Sequence, residues 1–250
     1  MSLQNKTVIV TGGARDIGRS VSLRLAQAGA NVVINYNANE ATAAETLAAA
    51  KAAGAQAIAV KADVTDPAAV DALVAATVEA FGPDIHGLVN VAGGMVARKT
   101  IDLMDLAFFE HVMRLNVSST FLATKAVVPH MQSGAAIVNL SSLAGRDGGG
   151  PGASAYASSK AAVMAFTRGM AKELGPKGIR VNALCPGLIG TSFHDTFSTL
   201  EGRAKVVGGT PLRREGAPDD VADCVAYLLG EGSAFLTGVC LDVNGGLFFS

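Results

Sequence analysis

Short apolar runs alternate along this chain with longer stretches in which apolar residues recur every three or four positions. The short runs, at 6–11, 31–35, 56–60, 85–90, 135–140, 179–184 and 239–243, are rich in Val, Ile and Leu and predict seven β-strands. Most are apolar throughout rather than alternating, as in parallel strands covered on both faces. The longer stretches, at 17–28, 38–53, 67–81, 106–131, 153–174 and 218–229, predict helices. Pro67 and Pro218 stand where a first helical turn tolerates proline. Strict β–α alternation implies right-handed crossovers and an α/β fold: a doubly wound, seven-stranded parallel sheet with helices on both faces. No repeat or linker interrupts it, so residues 1–250 are expected to form a single domain. Residues 187–211 break the pattern with Gly, Ser and Thr, and a substrate lid is expected at about 188–211.

Composition narrows the function. Half of the 250 residues are apolar and 16% are charged, enough to bury a sheet on both faces. Twenty basic and 21 acidic residues leave a net charge of -1, which argues against a nucleic-acid partner. No run of about 18 apolar residues predicts a membrane span, and 1–7 lacks a leader profile. Met1, Ser2 and Leu3 carry no structural weight in this reading. Cys185, Cys224 and Cys240 are too scattered for a metal site or a disulfide framework, so buried thiols and a cytoplasmic setting are expected.

The first strand runs into Thr11-Gly12-Gly13-Ala14-Arg15-Asp16-Ile17-Gly18. Glycines at such a turn let the backbone approach a pyrophosphate resting on the helix N-terminus, the signature of a Rossmann-type dinucleotide site. Asp16 stands where a third glycine is expected. Its carboxylate would repel a phosphate by about 1 kcal/mol at 4 Å in water. The preferred reading is that Asp16 caps or complements the first helical turn and points away from the phosphates. The second strand ends at Asn35, without the acidic residue that usually binds an NAD ribose. A neutral Asn35 beside Arg15 favours NADP(H) over NAD(H).

Tyr156 and Lys160 are four residues apart on one helical face, where an ammonium would lower the phenol pKa toward a useful range. Ser142 ends the fifth strand on the edge where open α/β sheets bind ligands, with Ser141 as the competing hydroxyl. With these residues in place, the chain resembles the short-chain dehydrogenase/reductase family over nearly its whole length. Asp63-Val64 resembles the family's adenine-contacting pair, and Asn90-Val91-Ala92-Gly93 resembles Asn-Asn-Ala-Gly. Asn116, Ser142, Tyr156 and Lys160 match the catalytic tetrad. Pro186, Gly187, Ile189 and Thr191 match the segment that closes over the nicotinamide. The resemblance implies that Tyr156 gives a proton to a carbonyl oxygen oriented by Ser142. It implies that Lys160 binds ribose and that Asn116 supports a water-linked relay. It also implies a homotetramer, in keeping with the apolar end Leu247-Phe248-Phe249.

Within the family the chain resembles the 3-oxoacyl-[acyl-carrier-protein] reductases through Arg15, Asn35 and 238–246. An acyl-thioester substrate, with acyl carrier protein as a partner, is the leading expectation. Docking an acidic carrier needs basic residues, and 129–134 supplies none, leaving Lys172, Lys177 and Arg180 as candidates. A sugar, polyol or other small secondary alcohol is the alternative substrate. A non-catalytic nucleotide sensor is the alternative class, which turnover of any ketone would eliminate. His194, in the expected lid, is set aside as incidental.

Overall fold

The structure is a computed structural model that describes residues 3–250. Strands β1 (Thr7–Thr11), β2 (Asn31–Tyr36), β3 (Ala57–Lys61), β4 (Gly87–Asn90), β5 (Ala136–Leu140), β6 (Arg180–Pro186) and β7 (Cys240–Val243) pair in parallel. Their order in the single sheet is β3-β2-β1-β4-β5-β6-β7. The chain therefore runs outward from β1 to β3, returns beside β1 and continues the other way. This reversal leaves a crevice at the carboxyl ends of β1 and β4.

The uninterrupted apolar runs are explained by two cores. Val8, Val10, Val32, Ile34 and Val138 face one side with Val21 and Leu25 of α1 (Asp16–Gln27) and Val225 and Leu228 of α10 (Pro218–Leu229). Ile9, Val33, Leu88 and Ile137 face the other, against Leu73 of α3 (Pro67–Phe81), Ala123 of α5 (Ser119–Val127) and Leu174 of α7 (Ser154–Leu174). Successive residues of one strand thus serve opposite cores. Each fully buried Ile or Leu contributes about 1.5–3 kcal/mol, so alternate polar positions are not required. The buried polar residues are cross-linked instead. Asn90 Nδ2 donates to Asn139 Oδ1 at 2.9 Å, and Asn139 Nδ2 donates to Thr167 Oγ1 at 2.9 Å.

The remaining helices are α2 (Glu40–Ala52), α4 (Leu106–Met113), α6 (Ala144–Asp147), α8 (Ser192–Phe197) and α9 (Leu200–Gly209). Three sequence expectations change. The helix expected at 106–131 is broken by a π-helical turn at Arg114–Ser118 and ends in a 3₁₀ turn at Val128–His130. Side chains intrude on its backbone ladder: Asn116 Nδ2 donates to Val112 O at 2.9 Å, and Thr120 Oγ1 donates to Asn116 O at 2.9 Å. Residues 187–211 are not irregular but hold α8 and α9. Thr199 caps α9, and Arg203 joins Glu215 and Asp195. Leu3 does carry weight: it is buried in the first core, and its N–H donates to Ala28 O at 2.8 Å. Met1 and Ser2 lie outside the described residues.

Candidate active site

A cleft of about 1090 Å³ follows the crevice from the start of α2, past the glycine turn, to α7 and α8. Its floor is built for close approach. Gly12 has φ +62°, and a Cβ on Gly18 would lie 2.0 Å from Gly12 O. The turn from β1 to α1 therefore brings Gly12, Arg15, Asp16, Ile17 and Gly18 to the cleft, with the α1 N-terminus exposed to an anion. Asp63, Val64, Ala92, Gly93, Pro186, Gly187, Ile189 and Thr191 also line it. Hydrogen bonds from the Thr65 N–H and hydroxyl hold the Asp63 carboxyl below its ordinary pKa.

Three cofactor expectations need correction. Asn35 borders the cleft, but its amide is spent on backbone: Gly12 N–H donates to Oδ1 at 3.1 Å, and Nδ2 donates to Ala62 O at 3.0 Å. Asn35 is buried and shares strand parity with Val33, so Tyr36 and Asn37 furnish the neutral rim instead. Asn90 does not line the cleft; it ties β4 to β5 and leaves its Oδ1 without a partner. Asp16 lies in the first turn of α1 but does not cap it. It sits at φ +49° and reaches across the cleft to α8, where Ser192 N–H donates to Oδ1 at 3.0 Å and Ser192 Oγ to Oδ2 at 2.6 Å.

At the other end, strand β5 delivers two serines to different tasks. Ser141 Oγ donates to Lys160 O at 2.7 Å and anchors α7. Ser142 also lines the cleft, where its hydroxyl accepts the Ala144 N–H at 3.1 Å. Burial pushes the Tyr156 phenol above its ordinary pKa, and the nearby Ser142 hydroxyl pulls it partly back. Against the expected lowering, burial keeps the phenol above its ordinary value, with the Lys160 ammonium 5.7 Å from the ring centroid and donating to Leu140 O at 2.7 Å. Burial brings Lys160 itself down to about 8. Asn116 is buried beside the cleft rather than in its wall. Its amide clamps Gly94, accepting from its N–H at 3.0 Å and donating to its carbonyl at 2.8 Å. The same amide limits Gly93, where a Cβ would fall 2.5 Å from Asn116 Oδ1.

Several wall residues escaped the sequence reading. Phe193 of α8 stands 5.7 Å from the Tyr156 ring and packs edge-on against Phe197. Met95, Leu188, Val206 and Leu247 extend this apolar wall. Leu247 thus turns into its own cleft, while Phe249 is 83% exposed. His194 belongs to the wall too, with Nδ1 3.0 Å from Ser198 Oγ and its pKa lowered by burial. Arg98 spans the mouth, donating from Nε to Phe197 O and from Nη1 to Pro151 O, both at 3.0 Å. Apart from Leu188, which lies within the matched segment at 186–191, only pairwise packing in three dimensions shows these roles.

The donor set fits a nicotinamide dinucleotide. A glycine-floored helix N-terminus suits its pyrophosphate, and the buried Lys160 ammonium has three donors, of which Leu140 takes one, leaving others for ribose hydroxyls. No group of residues capable of holding a metal ion occurs among the described residues. Fold and site together define an NAD(P)-dependent oxidoreductase acting between a carbonyl and an alcohol. Comparison with known proteins supplies the lineage. A family model described as enoyl-(acyl carrier protein) reductase matches residues 12–248. A 3-oxoacyl-[acyl-carrier-protein] reductase of Synechocystis is 37% identical over 98% of both chains. A short-chain dehydrogenase/reductase from Serratia marcescens superposes with a TM-score of 0.93 at 33% identity, over 99% of both chains. A short-chain dehydrogenase from Burkholderia cenocepacia, solved with NADP, gives 0.92 at 34% identity, also over 99% of both. The chain belongs to the short-chain dehydrogenase/reductase family.

Proposed function

We propose that this enzyme reduces the ketone of a 3-oxoacyl thioester to a secondary alcohol, with NADP(H) preferred over NAD(H). The observation that carries this reading is that Ser142, Tyr156 and buried Lys160 line one end of the cleft together, facing an apolar wall of Met95, Phe193, Phe197 and Leu247. Two hydroxyl donors converge where one carbonyl oxygen would sit. The wall suits an acyl chain better than a polyol, whose buried hydroxyls would each need a partner. A reduced nicotinamide bound in the cleft would supply the hydride.

Tyr156 acts as the proton donor, and its raised pKa keeps it protonated at neutral pH. Ser142 holds the substrate oxygen and supports its growing negative charge. Lys160 binds ribose hydroxyls and stabilises the phenolate left behind. Asn116 is a positioning residue, acting through the Gly93–Gly94 backbone that it clamps. Residues 188–211, with α8 and α9, form the substrate lid.

The neutral Tyr36 and Asn37 at the end of β2, with Arg15 on the rim, favour a 2′-phosphate. Acyl carrier protein is the proposed carrier, in the cytoplasm. Arg180 cannot help dock it, because its guanidinium donates to Leu228 O, Gly230 O and Ser233 Oγ. The protein is proposed to assemble as a homotetramer through faces exposing Phe235 and Phe249. The test is oxidation of NADPH and NADH on addition of acetoacetyl-CoA. Turnover with NADPH ahead of NADH supports the assignment. Turnover with small sugars or alcohols alone would replace the thioester, and cofactor binding without turnover of any ketone would leave a nucleotide sensor.

A further inference from the structure

Asp16 has no part in the chemistry above, yet it is held in a costly conformation. A non-glycine residue at positive φ is unusual, and Asp16 takes φ +49° at the first position of α1. What it gains lies 176 residues away. Its carboxylate accepts both the backbone N–H of Ser192, at 3.0 Å, and the Ser192 hydroxyl, at 2.6 Å. Arg15 closes the arrangement, with Nη1 donating to Ser192 Oγ at 2.8 Å and standing 3.4 Å from Asp16 Oδ2.

Ser192 opens α8, and the preceding Thr191 does not cap that helix. Its hydroxyl donates to Ile189 O instead, at 3.2 Å. The Ser192 N–H, one of the helix-start donors that have no partner within the helix, is satisfied from the glycine turn. The next residue of α8 is Phe193, which packs on the ring of Tyr156. A continuous series of contacts thus runs from the phosphate-binding turn through Ser192 and Phe193 to the proton donor.

We propose that Asp16, Arg15 and Ser192 form a clasp that holds α8 over Tyr156 before any ligand binds. Asp16 is thereby a positioning residue for the substrate wall. The same carboxylate stands beside the α1 N-terminus, where the dinucleotide phosphates would lie, so the clasp weakens cofactor binding while it pre-forms the substrate wall. This inference rests on the reading of the cleft as a dinucleotide-dependent reductase site. It separates from that reading because the clasp is measurable in the ligand-free protein.

The experiment compares Asp16→Gly, Ser192→Ala and the double variant. Glycine is at ease at positive φ, so Asp16→Gly removes the carboxylate without straining the turn. Amide hydrogen exchange at 192–197 in the ligand-free protein should rise about tenfold in Asp16→Gly and less in Ser192→Ala, which keeps the backbone N–H bond to Asp16. In the double variant it should rise no further than in Asp16→Gly, because the carboxylate that both arms need is already gone. NADPH binding, followed by its fluorescence, should tighten at least about threefold in Asp16→Gly, where a like charge is gone. It should stay within about twofold in Ser192→Ala, which keeps the carboxylate. The substrate KM should rise in both with kcat little changed. Unchanged exchange at 192–197 in both single variants, or additive effects in the double, would overturn the clasp even if turnover confirmed the reductase. Loss of turnover with the exchange pattern intact would instead count against the reductase reading and leave the clasp standing.

Discussion

Lys160 is an ammonium buried with one carbonyl partner and brought from 10.5 to about 8 by desolvation. The consequence for stability has a definite sign. Between pH 8 and 10.5 the unfolded chain binds the proton more tightly than the folded one, so this residue's penalty shrinks as pH rises through that window. Below pH 8 both states hold the proton and the penalty is full. Lys160→Met removes the buried charge at similar volume, so the variant should melt higher than the parent at pH 7, and the gap should narrow toward pH 10.5. Thermal melts of both proteins across that range check it, and a pH-independent gap would contradict it. Residue identity brought Tyr156 and Lys160 forward because they share one helical face, and left Ser142 beside Ser141 until the family resemblance chose between them. It misplaced Asn35, whose side chain points the opposite way from Tyr36. It also could not show where Asp16 points, because Ser192 becomes a neighbour only on folding.

At the scale of elements, the strands and most helices were legible because each apolar run has to feed one of two cores. The exceptions are elements shaped by contacts that periodicity does not encode. The π turn at Arg114–Ser118 comes from side chains entering the ladder, and α8 and α9 are short helices secured by distant partners rather than by an apolar stripe. Caps offer a clean control on this account. Asp66 receives the Ala68 N–H at 3.1 Å at the start of α3, on the face of the sheet that carries the second core. Asp66→Ala should lower stability by about 1 kcal/mol, read by denaturant titration, with kcat and KM unchanged. A loss of activity at full stability would mean that α3 communicates with the cleft.

At the scale of the whole molecule, the fold reduces to a sheet whose strand order reverses beside β1, so that motifs separated by up to 180 residues meet in one crevice. No helix among the described residues is long and apolar enough to cross a membrane. The exposed Phe235, Leu212 and Phe249 remain without apolar cover in a single chain. The tetramer proposed to cover them should sediment at about 100 kDa, four chains of 25.3 kDa. A 25.3 kDa species at micromolar concentration would contradict the assembly while leaving the cleft intact.

The central claim is that Tyr156 hands a proton to a ketone in this cleft, and the most direct measurement is NADPH oxidation with acetoacetyl-CoA by the parent and by Tyr156→Phe. The account predicts steady turnover by the parent. It predicts that the variant still binds NADPH but turns over slower by a factor of about 10²–10⁴, the contribution of a placed general acid. A Tyr156→Phe enzyme as fast as its parent would contradict the account.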